Sequence, residues 1–78
     1  MTFKNRLRAK LKETGVGSVT QLMLIIKHKG IDLPGRTTFD RYVQKPHKMP
    51  LSMLIAICDQ LGMDFCREVN LIQQESNF

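Results

Sequence analysis

The chain has few aromatic residues, two cysteines and no long apolar run. Its 78 residues include no Trp and one Tyr, so aliphatic side chains and methionine must build most of the core. No apolar run approaches the roughly 20 residues that a membrane helix needs. Between residues 4 and 12, Lys or Arg stands at every second position, unlike the apolar centre of a secretion signal. We therefore expect a cytoplasmic protein.

The two cysteines do not indicate a metal site or a disulfide. Cys58 and Cys66 both lie in apolar helical patterns, and we predict that both are buried thiols that pack as small hydrophobes. A zinc site would need two more ligands, and neither His28 nor His47 has the spacing of a zinc motif. The sequence predicts no metal and no cofactor.

Charge is distributed unevenly along the chain. The net charge is +5, but residues 1 to 48 carry eleven Lys or Arg against three acids, whereas residues 49 to 78 carry one Arg against four acids. Lys and Arg gain free energy when they displace counterions from an array of phosphates. The basic half therefore predicts a polyanionic partner, with nucleic acid favoured over anionic lipid.

Apolar spacing and capping residues predict helices at the start of the chain. A first helix covers residues 3 to 14, with Thr2 as its N-cap and an apolar stripe at Phe3, Leu7 and Leu11. Residues 18 to 21, Ser-Val-Thr-Gln, form a capping box that begins a second helix, which continues to about residue 29. Gly30 then ends it.

The last part of the chain predicts two more helices. One begins near Pro50 and ends at Gly62, with an apolar face at Leu51, Leu54, Ile55, Cys58 and Leu61. Met49 and Met53 are expected nearer the surface. Asp64 caps a fifth helix that turns inward the apolar side chains of Phe65, Val69 and Ile72. We assign residues 1 to 72 to one all-α domain, a compact bundle of five short helices, and residues 73 to 78 to a polar tail that frays or serves a partner.

The third helix, residues 36 to 44, carries the polar residues of greatest interest. Its apolar side chains, Phe39, Tyr42 and Val43, share one face, so Arg36, Thr37, Asp40, Arg41 and Gln44 are left outside. A two-turn helix is marginal alone and must be held by packing. Lys45-Pro46-His47-Lys48 follows as a basic loop, because proline cannot continue the helix.

This order of motifs resembles the lambda-repressor-like helix-turn-helix family, which includes phage Cro and CI proteins and related XRE-type regulators. The resemblance lies in the capped second helix, the turn at Gly30, the segment Arg-Thr-Thr-Phe-Asp-Arg-Tyr from residue 36, the basic loop and the Leu-rich helix ending in Leu61-Gly62. It implies a phage or prophage repressor whose third helix reads an operator in double-stranded DNA.

The sequence differs from the pattern of that family in three ways. Met23 stands where a small residue is usual, and Val19 stands where a phosphate-binding Gln is common. The link before Arg36, residues 30 to 35, is about three residues longer. We expect the third helix to sit farther from the second, or at another angle.

The outward side chains of the third helix suit the edges of bases. A major groove about 12 Å wide admits one helix. Arg36 and Arg41 can donate to guanine, Thr37 can contact a base, and Asp40 can accept from cytosine or orient a neighbouring arginine. Tyr42 is either a core aromatic or a phosphate ligand. The predicted phosphate contacts are Thr20, Gln21, Thr38, Gln44, Lys45, His47 and Lys48.

One helix reads few base pairs, so we expect a homodimer on a pseudopalindromic operator with half-sites about 34 Å apart. Ile72 and Phe78 are the predicted dimer contacts. The alternative is a protein-interaction module with the same fold, such as an antirepressor or adaptor, that does not read DNA sequence. RNA binding is less favoured because the aromatic residues form no stacking platform. The sequence contains neither a nucleophile paired with a base nor a phosphate-binding loop, so it does not indicate an enzyme.

Overall fold

Residues 2–76, described by a computed structural model, form five α-helices and one 3-10 turn, and no strand occurs among them. The elements are α1 (Phe3–Glu13), α2 (Val19–His28), α3 (Arg36–Gln44), the 3-10 turn (Pro46–Lys48), α4 (Leu51–Leu61) and α5 (Phe65–Ser76). The expected all-α fold class is confirmed. The helices form a globule with principal extents of 35 × 24 × 20 Å.

Three predicted caps begin helices. The Thr2 hydroxyl accepts from the Asn5 amide at 3.3 Å, and the Ser18 hydroxyl accepts from the Gln21 amide at 3.2 Å. The Asp64 carboxylate accepts from the Arg67 amide, also at 3.2 Å. At the end of α4, Gly62 has φ +67°, a left-handed conformation in which a side chain would be strained.

The apolar stripes of all five helices meet in one core. Phe3, Leu7, Leu22, Ile26, Phe39, Ile57 and Cys58 are the largest fully buried side chains. The closely packed pairs are α2 on α4, α3 on α1 and on the 3-10 turn, and α5 on α1, α4 and the 3-10 turn. The third helix therefore rests on α1 and on the turn that follows it, and α2 is not among its closely packed neighbours.

The predicted face of α4 is wrong in part. Leu51 and Ile55 are 62% and 50% exposed, whereas Met53, Ala56 and Ile57 are buried beside the expected Leu54, Cys58 and Leu61. Because α4 packs against both α2 and α5, its buried surface is wider than one stripe and is rotated from the predicted face. The same rotation buries Met53, and Met49 is also buried, so the expected surface positions of these two methionines are wrong.

Two further predictions for α5 differ from the structure. Cys58 is buried as expected, but Cys66 is exposed, because it lies about 100° around the helix from Phe65, which packs on the core. The helix also continues to Ser76, four residues beyond the boundary at residue 72 where the predicted tail begins. Phe78 lies outside the described residues.

A cluster of charged groups joins α1 to α5. Arg6 Nε lies 2.9 Å from Glu68 Oε1 and Arg6 Nη1 lies 2.5 Å from Glu75 Oε1, and the guanidinium carbon is 5.9 Å from the centroid of the Phe3 ring. Burial acts to lower the pKa of Arg6, but the hydrogen bonds to Glu75 and Glu68 outweigh it and raise that pKa. Arg6 is therefore a structural link between α1 and α5 rather than part of a solvated cationic face.

Candidate nucleic-acid interface

The third helix has one face in the core and one face in solvent. Phe39 and Val43 are buried, and Tyr42 is half-buried against the core, which agrees with the aromatic-core interpretation of that residue. Of the predicted contact residues on this helix, Arg36, Thr37, Arg41 and Gln44 are exposed, and Thr38 and Asp40 are half-buried. The predicted base-reading side chains thus share an accessible surface.

Arg36 is held by groups from two helices. Its Nε lies 3.1 Å from each carboxylate oxygen of Asp40, one turn along α3, and its Nη1 donates to the Thr20 hydroxyl in the first turn of α2. Asp40 is therefore placed to orient Arg36, which is one of the two roles predicted for it. Nη2 makes no hydrogen bond within residues 2–76, so its two N–H groups remain able to donate.

The start of α2 adjoins this arginine. Thr20 and Gln21, both predicted phosphate contacts, are exposed, and the Thr20 hydroxyl already accepts from Arg36. The backbone amide of Gln21 is capped by Ser18, while the Gln21 side chain makes no reciprocal bond within the described part of the chain. The side-chain amide of Gln21 is therefore available to a ligand, whereas the Thr20 hydroxyl already accepts one hydrogen bond.

Two cations of α1 line the same groove as α3 and were not among the predicted contacts. Lys4 and Arg8 border a groove that also includes Arg36, Asp40 and Gln44. They flank the buried Leu7 at an i, i+4 spacing, which places both on one side of the helix. That spacing was visible in the sequence, but only the packing of α3 on α1 shows that these cations adjoin the third helix.

The basic loop after α3 contains a 3-10 turn, and its basic side chains point outward. Lys45, His47 and Lys48 are exposed. Met49, the next residue, is buried in the core and anchors the end of the turn. The three side chains therefore lie directly beyond the C-terminal end of α3.

Ile72, one of the two predicted dimer contacts, belongs to the core. It is 5% exposed and lies with the other buried apolar residues, so little of its side chain is available to a second subunit. Phe78, the other predicted contact, lies outside the described residues.

Three further features of residues 2–76 concern metal binding, thiol chemistry and membrane spanning. No group of three or more His, Cys, Asp or Glu side chains is placed to hold a metal ion in that range. Burial, together with the charges of Glu68 and Asp64, raises the pKa of the Cys58 thiol to about 11, so it remains protonated at neutral pH. None of the described helices has the length and apolar character to cross a membrane.

Comparison of the chain with family models, with curated proteins and with solved structures gives no match. The candidate interface is therefore described by its own chemistry. An exposed helix presents two arginines, cations of α1 lie along one side, and three basic side chains follow its end. Such donors suit phosphate oxygens and the acceptor edges of bases.

Proposed function

We propose that the protein is a non-enzymatic, sequence-specific regulator of transcription of the Cro/CI type, which binds double-stranded DNA in the cytoplasm and needs no cofactor. The observation that carries the proposal is the outward face of α3, where Asp40 and Thr20 hold Arg36 and leave its Nη2 able to donate. A donor fixed before binding loses less side-chain entropy when it meets a base.

In this mechanism α3 enters the major groove and its two arginines donate to guanine. Each good bidentate contact of this kind contributes roughly 1 to 3 kcal/mol of discrimination between bases. Thr37, exposed beside Arg36, contacts an adjacent base or a thymine methyl group. Arg41 has no carboxylate partner within the described residues, so it adapts to its base where Arg36 is preset.

The flanking basic side chains set the register on DNA without reading sequence. Lys45, His47 and Lys48 contact phosphates at one end of α3, and Lys4 and Arg8 contact them along its side. Each phosphate contact contributes about 0.9 to the log-log slope of affinity against salt concentration. The other predicted contacts to the sugar-phosphate backbone are Thr20, Gln21, Thr38 and Gln44.

One observation favours the alternative of a protein-interaction module. Leu24 is 49% exposed and borders a groove with Thr20, Lys27 and Arg36, so apolar surface lies beside the proposed DNA-binding face. An antirepressor or adaptor would use such a surface for a protein partner rather than for DNA.

Selection from a random pool of double-stranded DNA, in about 150 mM salt, separates the two functions. The proposed regulator enriches an inverted repeat with half-sites one helical turn apart. In a second selection, Arg41→Ala relaxes the preference at one or two base positions, whereas Lys48→Ala, the matched control, weakens all sequences alike. A pool without any enriched sequence contradicts the proposal, and uniform weakening by both variants contradicts base reading by α3.

A further inference from the structure

An exposed apolar side chain lies beside the cations of the proposed DNA-binding face. Leu24, on the outer side of α2, is 49% exposed and borders a groove between α2 and the start of α3. The buried Met23 also lines this groove, together with Thr20, Lys27 and Arg36. We define the α2/α3 groove by these five residues. It combines an apolar surface with two positive charges.

The two cations flank Leu24 along α2. Arg36 donates to the hydroxyl of Thr20, which is one turn before Leu24, and Lys27 is one turn after it. Lys27 is exposed and makes no ion pair within residues 2–76, and Arg36 keeps its Nη2 able to donate. The α2/α3 groove therefore presents a positive, an apolar and a positive group within about 10 Å of helix.

DNA uses the cations of this groove but not its apolar side chain. Phosphate oxygens and most base edges are polar, and the apolar group that the major groove offers is the methyl group of thymine. The proposed base contacts come from α3, and none involves Leu24. A single exposed leucine is ordinary on a protein surface, but this one is continuous with Met23 and is flanked by cations. Such a combination indicates a ligand that is both apolar and negatively charged.

The ligand chemistry that matches this pattern is an acidic amphipathic helix. A large apolar side chain on such a helix covers Leu24 and Met23, and carboxylates one turn to either side reach Lys27 and Arg36. Hydrogen bonds between carboxylates and these cations are charge-assisted. The long-range field acts in the same direction, because residues 1 to 48 carry eleven Lys or Arg against three acids. A second copy of this chain does not match, since its own groove carries the same cations.

We propose that the α2/α3 groove is the docking site of an acidic amphipathic helix from a partner protein, and that this helix and DNA exclude each other. Both ligands need the guanidinium of Arg36, and a helix in the groove lies against the start of the outward face of α3. The exclusion rests on the proposed function, whereas the docking does not. A partner of this chemistry removes the protein from its operator without changing the fold.

The test uses a synthetic peptide as the probe and the full chain without DNA. The peptide is an alanine-rich helix of about 15 residues, in which one leucine has Glu four positions before it and three after it, the spacing of Thr20, Leu24 and Lys27. NMR titration of the amide signals is expected to give a dissociation constant between about 10 µM and about 1 mM, with the largest shifts in α2. A peptide of the same composition with its leucine on the opposite face is expected to bind at least about fivefold more weakly.

Two pairs of variants locate the contact. Leu24→Ser is expected to weaken peptide binding at least about fivefold, and Ile55→Ser, its matched control at 50% exposure on α4, to change it less than about twofold. Lys27→Glu is expected to weaken binding at least about fivefold, and Lys12→Glu, at an exposed lysine in the last turn of α1, less than about twofold. Circular dichroism checks that all four variants fold. Equal weakening within either pair overturns the docking site, as does a wild type that does not bind the peptide at about 1 mM.

The exclusion is tested with a DNA fragment recovered by the random-pool selection. This fragment is expected to displace the peptide from the wild type, and Leu24→Ser is expected to bind the fragment within about twofold of the wild type, because Leu24 contacts no base. A peptide that stays bound in the presence of saturating DNA overturns the exclusion. A chain that binds the peptide but selects no DNA sequence contradicts the proposed function, and with it the exclusion, and leaves the docking site intact.

Discussion

Arg6 and Arg36 are both helical arginines with carboxylate partners, yet they have opposite roles. Arg6 is 13% exposed and bonds two glutamates of α5, whereas Arg36 is 52% exposed and bonds Asp40 of its own helix. Removing one partner of a buried pair leaves an uncompensated charge, which is costly, whereas an exposed pair is worth at most about 1 kcal/mol. Burial makes the pairs of Arg6 a structural link between α1 and α5, whereas exposure leaves Arg36 available to a ligand.

The largest expected effect is on stability and tests the link that Arg6 makes between α1 and α5. Arg6→Ala leaves Glu68 buried without its partner and removes the contact with Phe3, so we expect a loss of about 3 kcal/mol in the free energy of unfolding. Urea denaturation measures it. Lys10→Ala is the control, because the pair of Lys10 with Glu13 is 3.5 Å long and exposed, and its loss is expected below about 0.5 kcal/mol. Equal effects would erase the contrast between buried and exposed pairs.

The next effect concerns Cys58, whose thiol is buried and lies near the charges of Glu68 and Asp64. Its pKa is raised from 9.0 to about 11 in the folded state, so between these values the unfolded chain loses the thiol proton while the folded chain keeps it. Stability is therefore complete below about pH 9 and falls by roughly 2 to 3 kcal/mol by about pH 11. Denaturation in urea across this range measures the fall.

Two cysteine variants isolate that contribution from other groups that titrate at high pH. Cys58→Ala is expected to lose this part of the pH dependence, although its stability is also lower at neutral pH. Cys66→Ser, which changes the exposed thiol, is expected to keep the wild-type curve. A wild-type slope that Cys58→Ala does not reduce would show that this thiol is not the source.

The third effect tests the exposed arginine. Arg36→Ala is expected to reduce discrimination between preferred and mismatched DNA by roughly 1 to 3 kcal/mol, because one bidentate donor is lost. Competition binding to fragments recovered from the random pool measures it. Unfolding of the same variant is expected to change by less than about 0.5 kcal/mol, since the ion pair is exposed. A large loss of stability would indicate that Arg36, like Arg6, has a structural role.

The smallest effect separates Asp40 from base contact. Asp40→Asn removes the charge that orients Arg36 while keeping the side-chain shape, and stability is expected to change by at most about 0.5 kcal/mol. Discrimination is expected to fall at the same base positions as in Arg36→Ala. Loss at a different position would indicate that Asp40 contacts a base of its own.

Local signals in the sequence predicted the helices well. The caps at Thr2, Ser18 and Asp64 depend on residues three apart, and α3 begins and ends at the predicted residues. The face of α4 and the exposure of Cys66 were missed, because the apolar spacing of one helix does not show how many neighbours cover it. The contact of Arg6 with Glu68 joins residues 62 positions apart, which no local pattern indicates.

The candidate site was predictable in composition but not in geometry. The amphipathic pattern of α3 predicted which of its side chains face outward, and a choice between two roles of Asp40 remained open. The structure adds the bond from Arg36 to Thr20, which depends on how α2 and α3 approach each other. It also adds Lys4 and Arg8, whose place beside α3 depends on tertiary packing.

The ion pairs of Arg6 with Glu68 and Glu75 also affect the order in which the helices fold. Glu68 and Glu75 are synthesised long after Arg6, so α1 has no charged partner on α5 while the chain is being made. Contacts of such high sequence separation must be closed before they contribute stability. The third helix, which rests on α1, therefore acquires its final support only when α5 docks, and in a nascent chain without α5 the proposed DNA-binding surface is not yet complete.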